Sequence, residues 1–249
     1  MIISAGRNEV FAFALPMGVG LVDMSINLTA LLQKRAMISG YGSDRCSRDF
    51  MSEYGLNQSN LTANRQPDER LNLPTLTATA QSDKRLNLVD SPILQSTKTS
   101  QNPDKILNAL PREIIFVGSA GLYKYGQIFE IYESSAAANI EISSLENRSY
   151  SPIESEIASV VPRGTCRVNS SNFITTDQNL AHKLFARGYF LENMEFFAAL
   201  KVAQKFQIPA YGIFVATNFC DKNAHEDFIK NHEQAKNKLE KYLKQKEII

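Results

Sequence analysis

At 249 residues the chain has room for one α/β domain, or one domain with a large insertion. A net charge of +1 gives a polyanion no particular hold, so no nucleic-acid partner is expected. No apolar run approaches the roughly 20 residues that cross a bilayer, and the opening residues lack a secretory signal's basic and apolar regions, so the expectation is a cytoplasmic protein with no membrane partner. Cys46, Cys166 and Cys220 are odd in number and widely spaced, which suits reduced thiols. His182, His225 and His232 stand in polar surroundings with no cysteine or carboxylate at metal spacing, so they read as surface residues and no metal is expected.

Met1 to Val22 starts as a short apolar strand, turns near Gly6-Arg7-Asn8 and continues as a second strand. Pro16, Gly18 and Gly20 break it before a helix that opens near Asp23, a suitable N-cap, with Met24, Leu28, Leu31 and Leu32 as its apolar stripe. Gly18 and Gly20 allow a close backbone approach, but the third glycine and the downstream acid of a dinucleotide fingerprint are missing. From Gly40 to Arg112 polar residues dominate. Gln66 to Leu73 recurs as Gln81 to Leu88, too few copies for a solenoid. With few large apolar side chains, this stretch of about 40–110 reads as a mobile insertion, with Leu-rich strands packed on the domain or a lid as the alternatives.

Ile114 to Val117 reads as a buried strand running into Gly118-Ser119-Ala120-Gly121, where small residues let backbone N–H groups face a ligand; a tight turn is the plain alternative. Glu141 to Glu156 reads as a polar loop, Arg167 to Thr176 as a strand and turn carrying Phe173-Ile174, and Asp177 to Phe185 as a short helix. Arg187 to Asp221 reads as strand, helix and buried strand, the helix opened by Glu192, Asn193, Met194 and Glu195 and ended by Ile208-Pro209. Tyr211 to Ala216 is an uninterrupted apolar run, as for a strand covered on both faces. Its polar end, Thr217-Asn218, and the polar start of the helix therefore meet at one edge of an α/β sheet, where such sheets bind ligands. Ala224 to Ile249 reads as a charged amphipathic helix whose Phe228, Leu239 and Tyr242 could pack on the sheet.

Gly118-Ser119-Ala120-Gly121, Phe173-Ile174, Met194-Glu195 and Thr217-Asn218 occur in the order in which the nucleoside phosphorylase and nucleosidase superfamily carries similar motifs. The chain resembles that superfamily over about residues 1–35 and 113–245. The resemblance implies a single domain over 1–249, a mixed sheet flanked by helices in three α/β/α layers, with the polar insertion as this chain's own addition. It also implies cleavage of a purine nucleoside's N-glycosidic bond, as in purine salvage, and a homo-oligomer. No cofactor is implied, beyond inorganic phosphate as a co-substrate if the reaction is phosphorolysis.

By the same resemblance Ser119, Ala120 and Gly121 line the ribose pocket, Phe173 stacks on the base and Ile174 meets its edge. Met194 packs beneath the ribose and Glu195 accepts its hydroxyls. Glu9 falls on the carboxylate that activates water, although the spacing to the glycines is shorter than usual, and an exposed turn glutamate is the competing reading. For Phe173 the alternative is a core side chain, and for Glu195 a carboxylate favoured by its helix dipole. Where adenine-type nucleosidases have an aspartic acid, this chain has Asn218, which hydrogen-bonds a purine but transfers no proton; Asp221 is the acid that could stand in. Phe129 to Glu133 offers no arginine for phosphate, which favours hydrolysis unless Arg163, Arg167 or a neighbouring subunit supplies the charge. A nucleoside- or base-binding homologue without activity is the second hypothesis.

Overall fold

The computed structural model describes residues 1–38 and 109–249. The expected insertion, with its internal repeat, falls outside the described residues except at its last positions, where Leu110 packs against the core. In chain order the elements are β1 (Ile2–Ser4), β2 (Leu15–Pro16), α1 (Gly20–Ile38), β3 (Ile114–Leu122), β4 (Ile131–Ser134), β5 (Ala136–Ala138) and α2 (Ile142–Leu145). There follow β6 (Glu156–Ala158), β7 (Arg167–Asn169), α3 (Gln178–Ala186), β8 (Leu191–Glu192), α4 (Phe196–Lys205), β9 (Ala210–Phe219) and α5 (Ala224–Gln245).

All described strands join one mixed sheet of nine, organised around β3. One edge of β3 runs parallel to β9 from Ile114 opposite Ala210 to Leu122 opposite Phe219. The other edge is shared: β1 pairs in parallel with its first half and β8 antiparallel with its end. Beyond these lie β4 on β9, β2 on β1, and β7, β5 and β6 in succession from β8.

Successive residues of β3 face opposite ways, and so divide the core. Ile114 and Phe116 pack with Met24, Leu28 and Leu32 of α1 and with α4, whereas Ile115 and Val117 pack with Ala235, Leu239 and Leu243 of α5. This is the three-layer α/β/α arrangement, its strands apolar on both faces because helices cover both. Each fully buried leucine, such as Leu28 or Leu239, contributes roughly 1.5–3 kcal/mol.

The differences from the sequence reading have local causes. The strand does not stop at Val117 but continues through Gly118-Ser119-Ala120-Gly121 to Leu122, since β9 and β8 pair with it there. The second N-terminal strand shrinks to Leu15–Pro16. Asp23 is no N-cap: α1 begins three residues earlier, at Gly20. Its first amides are met from far along the chain, Gly20 N donating to Glu195 Oε1 (2.8 Å) and Leu21 N to Asn172 Oδ1 (2.9 Å). Gly20 has φ +86°, and a Cβ there would come within 2.8 Å of Asn172 Oδ1, so glycine is required. The three alanines of β5 carry no alternation to mark a strand, and neither α2 within the polar stretch 141–156 nor β6 at its end has a pattern that marks it. Glu192 closes β8 rather than opening α4, which starts at Phe196.

Candidate functional site

At the carboxyl ends of β3 and β9 lies a cavity of about 310 Å³, within the roughly 300–1,000 Å³ typical of small-molecule sites. Its walls come from the turn after β1, the end of β3, the β8–α4 junction, the end of β9 and the first turn of α5. It brings together Glu9, Ser119, Ala120, Gly121, Ile174, Met194, Glu195 and Asn218, residues spread over most of the chain.

Glu9 is buried, not an exposed turn residue. The turn that carries it is closed by the Glu9 N to Gly6 O bond (3.0 Å), with Arg7 at φ +53°. One carboxylate oxygen accepts from Ser119 N (2.6 Å) and from the Ser119 hydroxyl. Gly118 is the reason the carboxylate fits, since a Cβ there would stand 3.1 Å from Glu9 Oε2. Burial raises the carboxyl's pKa, and the two bonds from Ser119 work against that rise.

Glu195 is only 3% exposed. Its pKa is raised to about 8, first by burial and then by the neighbouring charge of Glu9, against which the Gly20 amide works. The two carboxyls thus share one cavity, where the charge of Glu9 favours the protonated form of Glu195. Capping of α4 falls to Asn193, whose Oδ1 accepts from Glu195 N (3.0 Å) and Phe196 N (2.9 Å) while its Nδ2 donates to Ser119 O (3.1 Å). Glu195 is thereby free to face the cavity instead of its own helix end. Glu195 stands at the N-cap of α4 without a side-chain bond to that end, so its position fits both the dipole reading and a ligand role.

Asn218 is buried in the cavity wall; its Oδ1 accepts from Thr217 Oγ1 (2.9 Å) and its Nδ2 donates to Phe219 O (3.0 Å). Two expected site residues are elsewhere. Phe173 is 69% exposed and lines a neighbouring depression with Ile140, Leu145 and Leu184, so it neither faces the cavity nor fills the core. Asp221 is not in the cavity wall; its Oδ1 accepts from Asn223 N (2.8 Å) in the turn before α5.

Three lining residues have a place that the sequence did not suggest. His225, exposed as expected, also borders the cavity, and Phe228 of α5 lines it instead of packing on the sheet. Glu192, 7% exposed, also faces it. That carboxyl accepts from Thr175 N (2.9 Å), the Thr175 hydroxyl and Tyr123 OH (3.1 Å), and burial raises its pKa. No local sequence signal marks Glu192, whose place before an apparent helix start conceals its pairing with Gly121. Among the described residues no group of three or more His, Cys, Asp or Glu is arranged to hold a metal ion, and no helix is long and apolar enough to cross a membrane.

No protein-family model matches the chain, and no curated protein does. Among solved structures, a futalosine hydrolase mutant of Helicobacter pylori strain 26695 superposes with a TM-score of 0.55 at 11% identity, over 98% of this chain and 95% of that one. An H. pylori 5′-methylthioadenosine/S-adenosylhomocysteine nucleosidase mutant with 5′-methylthioadenosine in its active site gives a TM-score of 0.47 at 15% identity, over 54% of this chain and 67% of that one. For the Streptococcus pneumoniae MTA/SAH nucleosidase bound to 8-aminoadenine the TM-score is 0.43 at 12% identity, over 53% and 66% of the two chains. The likeness to futalosine hydrolase, over nearly the full length of both chains, shows a shared α/β fold.

Proposed function

We propose that this chain hydrolyses the N-glycosidic bond of a purine nucleoside. One observation carries the reading: Glu9 and Glu195, buried carboxyls from opposite ends of the sequence, face one cavity of ligand size beside Ser119. Breaking the bond leaves the sugar with oxocarbenium character, which carboxylates on the sugar side stabilise. Glu9 takes a proton from the attacking water, whose oxygen bonds to C1′ as the bond to the base breaks; Ser119 holds Glu9 in place and keeps part of its charge available. Glu195 receives the ribose hydroxyls. Empty, it holds its proton near neutrality; hydroxyl donors and the cationic sugar both favour its ionised form. Met194 supports the ribose, Ile174 borders the base, and the Asn218 amide hydrogen-bonds it. Phe228 supplies the aromatic surface for stacking that Phe173, facing outward, does not.

Water suits this cavity better than phosphate as the nucleophile. Glu9 would repel a phosphate dianion, and Arg7, the one Lys or Arg among the described lining residues, is itself exposed. Futalosine hydrolase, whose fold the chain shares, is likewise by name a hydrolase. The Asn218 amide favours the second reading, a nucleoside-binding protein without turnover. Incubation with inosine, guanosine, adenosine and methylthioadenosine, with and without phosphate, separates the two. Free base without phosphate supports hydrolysis; binding with no base released in any mixture supports the binder.

A further inference from the structure

A purine leaving as an anion is a poor leaving group, and the cavity holds a carboxyl with no part in the scheme above. We propose that Glu192 hands the departing base its proton, a role closed to the Asn218 amide; this rests on the glycosidase reading.

Gly121 of β3 is paired on one side with Glu192 and on the other with Asn218, so side chains at these three positions belong to one face of the sheet. Glu9 is fastened to Ser119, two residues earlier on β3. That offset is about 7 Å along the strand, and Glu192 lies a further strand spacing of about 4.8 Å to the side. A base and an acid separated on this scale, on opposite sides of the breaking bond, form the arrangement inverting glycosidases use, at about 6.5–9.5 Å. Glu195 is no substitute, being beside Glu9 and bonded to Gly20, and His225 is exposed.

The surroundings of Glu192 suit a neutral acid. Its titratable neighbours are Tyr123, just after β3, and the Cys220 thiol after β9, both with pKa values raised first by their own burial, and among the described residues no Lys or Arg pairs with it. Burial raises its own pKa, while the Thr175 bonds limit the rise. In the step, the C1′–N pair of electrons passes to the base and the Glu192 carboxyl proton goes to a ring nitrogen. Water supplies the new C1′–O bond and gives its proton to Glu9. Solvent then reprotonates Glu192 and deprotonates Glu9, leaving free base and ribose.

The test compares wild type with Glu192→Gln on the nucleoside panel and on 4-nitrophenyl β-D-ribofuranoside, whose phenolate departs unprotonated. Loss of an acid costs about 10²–10⁴ in rate, so the variant should fall by that factor on the nucleoside and by less than about threefold on the nitrophenyl riboside. Equal losses on both substrates would mean a structural role and overturn the proposal, as would an unchanged nucleoside rate. If wild type releases base from no nucleoside, the glycosidase reading falls, and the proposal with it. Thr175→Val gives a second readout: without the hydroxyl that favours the ionised form, the alkaline limb of the nucleoside pH profile should move to higher pH, and a fixed limb would also overturn the proposal.

Discussion

Replacing Glu195 with glutamine should make the unliganded protein more stable at alkaline pH, an unusual result for removing a candidate catalytic group. The carboxyl's pKa stands at about 8 in the fold, against 4.5 as its ordinary value. The folded state therefore holds this proton more tightly than the unfolded chain. Its contribution is complete below about pH 4.5 and is lost as pH rises through about 8. Each pH unit of that window is worth about 1.4 kcal/mol, so ionising the buried group costs at most on the order of 5 kcal/mol. Glutamine keeps an acceptor for Gly20 N and does not titrate. Urea unfolding of both proteins from pH 5 to pH 9 reads the effect directly: wild type should lose stability relative to Glu195→Gln, steadily across the window. Because Glu9 is the second cause of the rise, Glu9→Gln should pull the upper end of the window down. A wild-type-to-variant difference constant within about 0.5 kcal/mol from pH 5 to pH 9 would refute the reasoning, since Glu195 would then ionise as it does in the open chain.

Ligand binding near neutrality should release protons from Glu195, so calorimetric binding enthalpies at pH 7 should vary with the ionisation enthalpy of the buffer in wild type and much less in Glu195→Gln. Ser119→Ala removes a donor that lowers the Glu9 pKa; the acid limb of the activity profile should move to higher pH, and an unmoved limb would detach Glu9 from catalysis. Phe228→Ala should raise KM by roughly 5- to 100-fold, as expected for about 1–3 kcal/mol of lost stacking, whereas Phe173→Ala should leave it within about twofold. Gly20→Ala meets both a positive φ and a close oxygen, so thermal unfolding should show a loss of roughly 1–3 kcal/mol.

What was legible in the sequence was what short-range pattern encodes. The apolar runs of β3 and β9 and the period of α5 announce elements covered on known faces, and Asp177 announces α3, whose amides at Asn179 and Leu180 it accepts. Partners supplied across the chain were not legible. Nothing near Gly20 reveals that Glu195 and Asn172 receive the first amides of α1, so the local candidate Asp23 took the cap in the sequence reading. Glu192 sits beside a helix start in one dimension and beside Gly121 in three. Phe173 and Asp221 matched by order along the chain, which fixes neither where a ring points nor whether a carboxylate is already spent on a turn.

The pairing of β1 with β3 has a consequence for biosynthesis. Residues 2 and 3 lie against 115 and 116, and the remaining cavity walls end with Phe228 at the start of α5. A ribosome adding about 5–20 residues per second delivers those walls roughly 10–40 s after the first strand emerges. For roughly the first 5–20 s, until Ser119 follows it, the Glu9 carboxylate waits without the partner that holds it in the fold. Emergence of the first turn of α5 is therefore the earliest moment at which a ligand could act as a template for the finished cavity.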